Sequence, residues 1–133
     1  MNRKEQYKRK LDFITEKIYN LPNVENQDDI YIDALFYHLQ VAIDASMDVI
    51  AMLCKDLGIK VRDDYKNIDN IKKLNIFSPE LVNKLRKFNG LRNALVYKYN
   101  KIEEDLILQQ KEDIKENLNS FVKKVDIIIN EKF

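Results

Sequence analysis

The sequence predicts an all-α fold: an antiparallel up-and-down helical bundle of four main helices plus a short one. Three observations carry this expectation. Only two glycines (Gly58, Gly90) and two prolines (Pro22, Pro79) punctuate the 133 residues, whereas sheets and long loops need more turn residues than that. Apolar residues recur at steps of three and four along most of the chain. The segments marked in this way are long and their connections short, which makes successive helices antiparallel neighbours. At this length residues 1–133 form one domain, large enough to bury a core without disulfide or metal staples.

Each element has its own signal. The first helix is expected from about Arg3 to Tyr19, with Tyr7, Leu11, Ile14 and Ile18 on one face. Pro22 follows its end, and "NVENQDD" supplies a loop and capping aspartates for a second helix from about Asp29 to Leu57. Gly58 stands at the C-cap position of that helix. A short third helix carries Tyr65, Ile68, Ile71 and Leu74 spaced by threes. "SPEL" then gives an N-cap serine (Ser78), a first-turn proline (Pro79) and a first-turn acid (Glu80) for a fourth helix running toward Tyr97. The last helix covers about Glu103 to Asn130, with Leu106, Ile114, Leu118, Phe121, Val125 and Ile128 facing inward.

Several function classes are excluded at this stage. The lone cysteine, Cys54, rules out an internal disulfide framework and sits among apolar residues as a buried thiol. His38 is the only histidine, on the second helix, and reads as a packing or surface residue. Without a cysteine pair or a histidine cluster no metal site and no cofactor are expected. The basic start "MNRKEQYKRK" has no apolar stretch behind it, and no apolar run approaches the ~18 residues of a membrane span. A cytoplasmic protein is therefore expected.

The fourth helix breaks its own pattern. Leu81, Leu85, Phe88, Arg92, Leu95 and Tyr99 share one face, so a guanidinium stands at a position reserved for a core side chain. A buried arginine needs a partner, because an unpaired buried charge costs several kcal/mol. The second helix offers one: Ile30, Ala34, Tyr37, Val41, Asp44, Asp48 and Ala51 form a stripe in which two aspartates one turn apart replace apolar residues. Such like charges repel, so Arg92 is expected against Asp48 or Asp44, within one chain or across a dimer. A second apolar stripe through Leu35, Leu39, Ala42, Val49 and Leu53 leaves this helix apolar nearly all round, which points to a homodimer built on helices two and four.

Charge is segregated along the chain. From Leu81 to Ile102 there are six basic residues (Lys84, Arg86, Lys87, Arg92, Lys98, Lys101) and no acid, and from Ile18 to Cys54 six acids and no Lys or Arg. The near-neutral net charge of +1 hides both. Either the two helices neutralise each other inside the bundle, or outward members of the basic set, Lys84, Lys87, Lys98 and Lys101 among them, hold a phosphate backbone together with Arg3, Lys4, Lys8, Arg9 and Lys10.

"LFYHLQVAIDASMDVIAMLCKDLG" followed by "FNGLRNALVYKYNKIEED" resembles the HepT-like branch of the HEPN superfamily, small helical toxins encoded beside a minimal nucleotidyltransferase antitoxin. The resemblance runs from about Ile30 to the C-terminus. Its most specific element is arginine, four residues, histidine, one residue, tyrosine. Arg92 and Tyr99 match that motif, whereas the histidine position is Tyr97.

The resemblance implies a metal-independent endoribonuclease acting on RNA, with two copies of the motif lining a cleft between subunits of a homodimer. Arg92 would stabilise the phosphoryl oxygens, position 97 would move protons, and Asp44, Asp48 and Asn93 would support them. Tyr99 would be the tyrosine that the partner nucleotidyltransferase adenylylates. A phenol with a pKa of about 10 is a poor general base at pH 7 beside an imidazole at about 6.5, so the chain as written is expected to be catalytically impaired. On an ideal helix the five residues from Arg92 to Tyr97 rotate about 140°, so a joint site requires the helix to end there or another subunit to complete it. Three readings stay open: a toxin altered at residue 97, an inactive relative that binds nucleic acid or nucleotide, and a structural partner of a nucleotidyltransferase with Arg92 as a core ion pair.

Overall fold

The computed structural model describes residues 2–23, 29–97 and 101–133, with the backbone alone at residues 97 and 101–103. Five helices follow in order: α1 (Arg3–Tyr19), α2 (Asp29–Asp56), α3 (Asp64–Lys73), α4 (Pro79–Tyr97) and α5 (Lys101–Lys132). None of them is long and apolar enough to cross a membrane.

Local chemistry sets the boundaries. The Asn2 side chain accepts from the Glu5 backbone N–H at 2.9 Å and opens α1. Asp63 accepts from Lys66 N–H at 2.9 Å and opens α3, and Ser78 Oγ accepts from Leu81 N–H at 3.2 Å to open α4. The expected aspartate caps of α2 fall on Asp28, outside the described residues, and on Asp29, which is already helical. Gly58 closes α2 at φ +80°, with Ile59 N–H on Cys54 C=O at 2.8 Å and Gly58 N–H on Lys55 C=O at 3.2 Å. That pair of bonds is a Schellman motif, whose left-handed residue glycine tolerates best.

The four long helices pack in a ring, α1 beside α2 and α5, and α4 beside the same two. Cross-contacts fix their directions. Arg3 meets Asp56 and Lys10 meets Asp48, so α1 and α2 are antiparallel; Phe77 meets Phe121 and Lys84 meets Asp113, so α4 and α5 are too. Tyr7 stacks on Phe133 and Tyr19 bonds Asn119, which runs α5 against α1. The result is an up-and-down bundle with α3 leaning on α2 and α4. Tyr7, Leu11, Ile14 and Ile18 from α1 meet Leu39, Ile43 and Ile50 from α2, Leu85 and Phe88 from α4, and Leu118 and Phe121 from α5 in one core.

Four details differ from the periodic reading. On α5 Ile107 is buried and Leu106 is 42% exposed, because two turns back from Ile114 at 3.6 residues each lead to 107. On α3 a spacing of three drifts off a 3.6-residue face, so Ile68 and Ile71 are buried while Tyr65 and Leu74 at the ends are exposed. On α2 the Leu35 stripe is covered, whereas the second stripe is only partly so: Ala34, Val41 and Ala51 are half-buried, and Ile30 and Tyr37 are 76% and 56% exposed. Finally, Arg92 is not a core residue: its side chain is 44% exposed.

Candidate functional site

Arg92 lies in the last two turns of α4, where the bundle meets α3. Asp44, in the middle of α2, faces it with Oδ1 2.7 Å from Nε. The contact is ionic more than an aligned hydrogen bond, since Asp44 Oδ1 is sealed from water and has no partner of good hydrogen-bond geometry. Of the two aspartates expected opposite Arg92, Asp44 makes the contact. Asp48, one turn on, is exposed and turns instead to Lys10 of α1 at 3.0 Å. The like-charge pair on α2 is thus relieved by two different cations from two different helices.

A second carboxylate, absent from the sequence reading, also reaches Arg92. Asp64 Oδ2 lies 3.6 Å from Nη1, on the side of the guanidinium served by α3. Its placement is built from the connection before it. The buried Asn67 side chain accepts from Arg62 N–H at 2.8 Å and donates to Arg62 C=O at 3.0 Å, pinning the loop that leads into α3. The helix is then drawn against α4 by Arg86, which bonds Asp69 and lies 5.2 Å over the Tyr65 ring. Gly90 permits that approach, because a Cβ there would stand 3.3 Å from the Tyr65 hydroxyl. In sequence Asp63 and Asp64 read as ordinary acids at a helix start, and no spacing ties them to a residue almost thirty positions away.

Burial pushes the Asp64 carboxyl up; Arg92 pulls it down, Asp48, Asp44 and Asp63 push it up again, and the net direction is upward. Around one guanidinium the protomer therefore gathers Asp44, Asp64 and, further off, Asp48. Asp44 and Asp48 also line a groove of about 600 Å³ between α1 and α2, floored by Phe13, Val41, Ala45 and Met52 and edged by Arg3, Arg9 and Lys10.

The other anticipated residues divide. Asn93 is exposed beside Arg92. Lys87 is exposed, while Lys84 is half-buried and tied to Asp113 of α5 at 2.6 Å. Tyr97 is the last described residue of α4. The side chains of Tyr97 and Lys101, and Lys98 and Tyr99 entirely, lie outside the described residues. His38 sets Nδ1 3.1 Å from Lys17 C=O between α1 and α2, in a packing place. Cys54 is buried with Sγ 3.6 Å from Asn67 C=O, and burial pushes its thiol up.

Comparison with known proteins bears on this geometry. A family model described as Ribonuclease HepT-like matches residues 5–125. A candidate RNase of Archaeoglobus fulgidus is 39% identical over 127 residues, 96% of each chain. Among solved structures, a tri-AMPylated HEPN toxin of Shewanella oneidensis in complex with MNT antitoxin superposes with a TM-score of 0.80 at 21% identity, covering 96% of this chain and 99% of that one. A toxin–antitoxin structure with AMP-PNP gives 0.79 at 20% identity, over 94% and 99%. At these identities the structural likeness is one of fold.

Proposed function

The chain belongs to the HepT-like ribonuclease family, and from that membership we propose that it is a metal-independent endoribonuclease toxin paired with a minimal nucleotidyltransferase antitoxin. In this reading residues 1–133 form one HEPN-like domain that acts in the cytoplasm as a homodimer. Catalysis is impaired as written, because Tyr97 stands where the motif has histidine.

One observation carries the reading. Arg92 reaches the surface beside the end of α4, held by Asp44 at 2.7 Å, instead of closing an ion pair in the core. A half-exposed guanidinium oriented by a carboxylate is equipped to take two phosphoryl oxygens through paired donors, which a core pair could not do. Exposed Ile30 and Tyr37 on α2, with half-buried Val41 beside them on the same stripe, support pairing with a second copy. Association of the similar HEPN toxin with MNT antitoxin supports the partner. That toxin is tri-AMPylated, which supports adenylylation of this chain, with Tyr99 as the acceptor we propose from its place in the motif.

Tyr97 itself favours a second reading, an inactive relative that keeps RNA or nucleotide binding. One experiment separates them. Tyr97→His is expected to raise RNA cleavage by a factor of about 10² to 10⁴, the usual worth of general acid/base help, and Arg92→Ala in that background to abolish the gain. If Tyr97→His leaves a panel of structured and single-stranded RNAs intact, the binding-module reading replaces the nuclease.

A further inference from the structure

If position 97 has lost its imidazole, some other group must take the proton of the attacking ribose hydroxyl, or no turnover remains. We propose that Asp64 is that group: a catalytic carboxylate, contributed by α3, that serves as general base beside Arg92. The inference rests on the ribonuclease reading above and deepens it.

Placement is the first argument. Asp64 Oδ2 lies 3.6 Å from Arg92 Nη1, so a phosphodiester seated on the guanidinium brings its neighbouring ribose 2′-hydroxyl within reach of the carboxylate. The gap is also too long for a direct hydrogen bond. Arg92 therefore does not hold Asp64 in close contact, as it holds Asp44 at 2.7 Å. Access is the second argument, for the side chains of Asp64 and Arg92 are 33% and 44% exposed.

The third argument is the electrostatic setting. Asp64 faces Asp44 and Asp48 from α2, Arg92 from α4, and the capping Asp63 before its own helix; burial and the three carboxylates together outweigh Arg92 and raise its proton affinity. A carboxylate with its proton affinity raised in this way is a better base than an exposed aspartate. Asp44 and Asp48 are weaker candidates, the first clamped on Arg92 and the second turned to Lys10.

The step balances without a further reactant. The 2′-hydroxyl gives its proton to Asp64 Oδ2, and the 2′-oxygen forms a bond to phosphorus as Arg92 holds the phosphoryl oxygens. The bond from phosphorus to the 5′-oxygen breaks, leaving a 2′,3′-cyclic phosphate and a 5′-hydroxyl whose proton comes from solvent. Asp64 returns its proton to water.

The test uses full-length protein and a single-stranded RNA oligonucleotide of mixed sequence, with an all-2′-deoxy oligonucleotide as the control that must stay intact. Cleavage is followed across pH 4–9 for the chain as written, Asp64→Asn, Asp64→Glu, Tyr97→His and the Tyr97→His/Asp64→Asn pair, each checked for folding by circular dichroism. The chain as written should cut slowly, its rate rising with pH through one ionisation and then staying flat. Asp64→Asn should lower the rate about tenfold or more and remove that ionisation, and Asp64→Glu should restore part of it. In the Tyr97→His background the same substitution should cost far less, because an imidazole then takes the proton. Equal losses in both backgrounds would mark a merely structural residue, and an unchanged or higher rate for Asp64→Asn would mark a competitor of the phosphate; each overturns the proposal. Cleavage by Tyr97→His but none by the chain as written overturns Asp64 and spares the ribonuclease reading, whereas no cleavage by either removes both.

Discussion

Tyr7 offers the sharpest stability test in the molecule. Its ring is fully buried and its hydroxyl donates to Asp56 Oδ2 at 2.6 Å, the same oxygen that Arg3 Nε reaches at 2.8 Å. Tyr7→Phe keeps the packing against Phe133 and removes one hydrogen bond to a charged acceptor, worth about 1.5–3 kcal/mol. Arg3 still holds the carboxylate, so the lower end of that range applies, about 1.5–2 kcal/mol. With an unfolding entropy of about 0.28 kcal/mol/K for a chain of this size, Tm should fall by about 5–7 °C at pH 7. The pH dependence follows from Asp56. Burial pushes its carboxyl up, but the Arg3 and Tyr7 hydrogen bonds outweigh burial and hold it below the usual value. A carboxyl depressed in the fold contributes stability above its unfolded pKa, about 3.9, and loses it as pH falls through the folded value. The gap between wild type and Tyr7→Phe in thermal unfolding followed by circular dichroism should therefore narrow below pH 4. A Tm change under 1 °C at pH 7, or a gap that widens toward pH 2.5, would refute the reasoning.

Two further outcomes are expected. Light scattering at micromolar concentration should give a dimer, and Tyr37→Glu on the exposed face of α2 should shift it to monomer; a monomeric wild type removes the homodimer. Incubation with ATP, magnesium and the cognate nucleotidyltransferase should add AMP at Tyr99, read by peptide mass spectrometry, with an adduct at Tyr97 alone or at neither tyrosine counting against that site.

Helix limits were legible because they are local chemistry. Gly58 and Ser78 each act within four residues of the boundary they set, so spacing alone finds them. The fate of Arg92 was half legible. Periodicity gives the direction in which a side chain leaves its helix and says nothing of depth, and at the level of Arg92 the facing groups are Asp44 and Asp64 rather than apolar residues. A long side chain then runs along the helix surface and keeps its head at the edge. Tyr7 was read as a core residue, which it is, yet its hydroxyl partner Asp56 lies almost fifty positions away and leaves no periodic trace. Asp64 escaped for the same reason: what brings it to the site is tertiary, the Tyr65 hydroxyl tucked against Gly90.

The charge around Arg92 constrains how such a site can hold an anion at all. Within one protomer a single guanidinium faces Asp44 and Asp64 with Asp48 close by, so carboxylates outnumber cations immediately around it and a phosphodiester must be drawn in by other positive groups. Arg9 is exposed on the rim of the neighbouring groove, but Lys10 is spent on Asp48 and Arg3 on Asp56. In the homodimer proposed above a second Arg92 would come with its own Asp44 and Asp64, so pairing alone leaves the sign unchanged, and RNA binding at this site calls on further exposed cations such as Arg9 and Lys87.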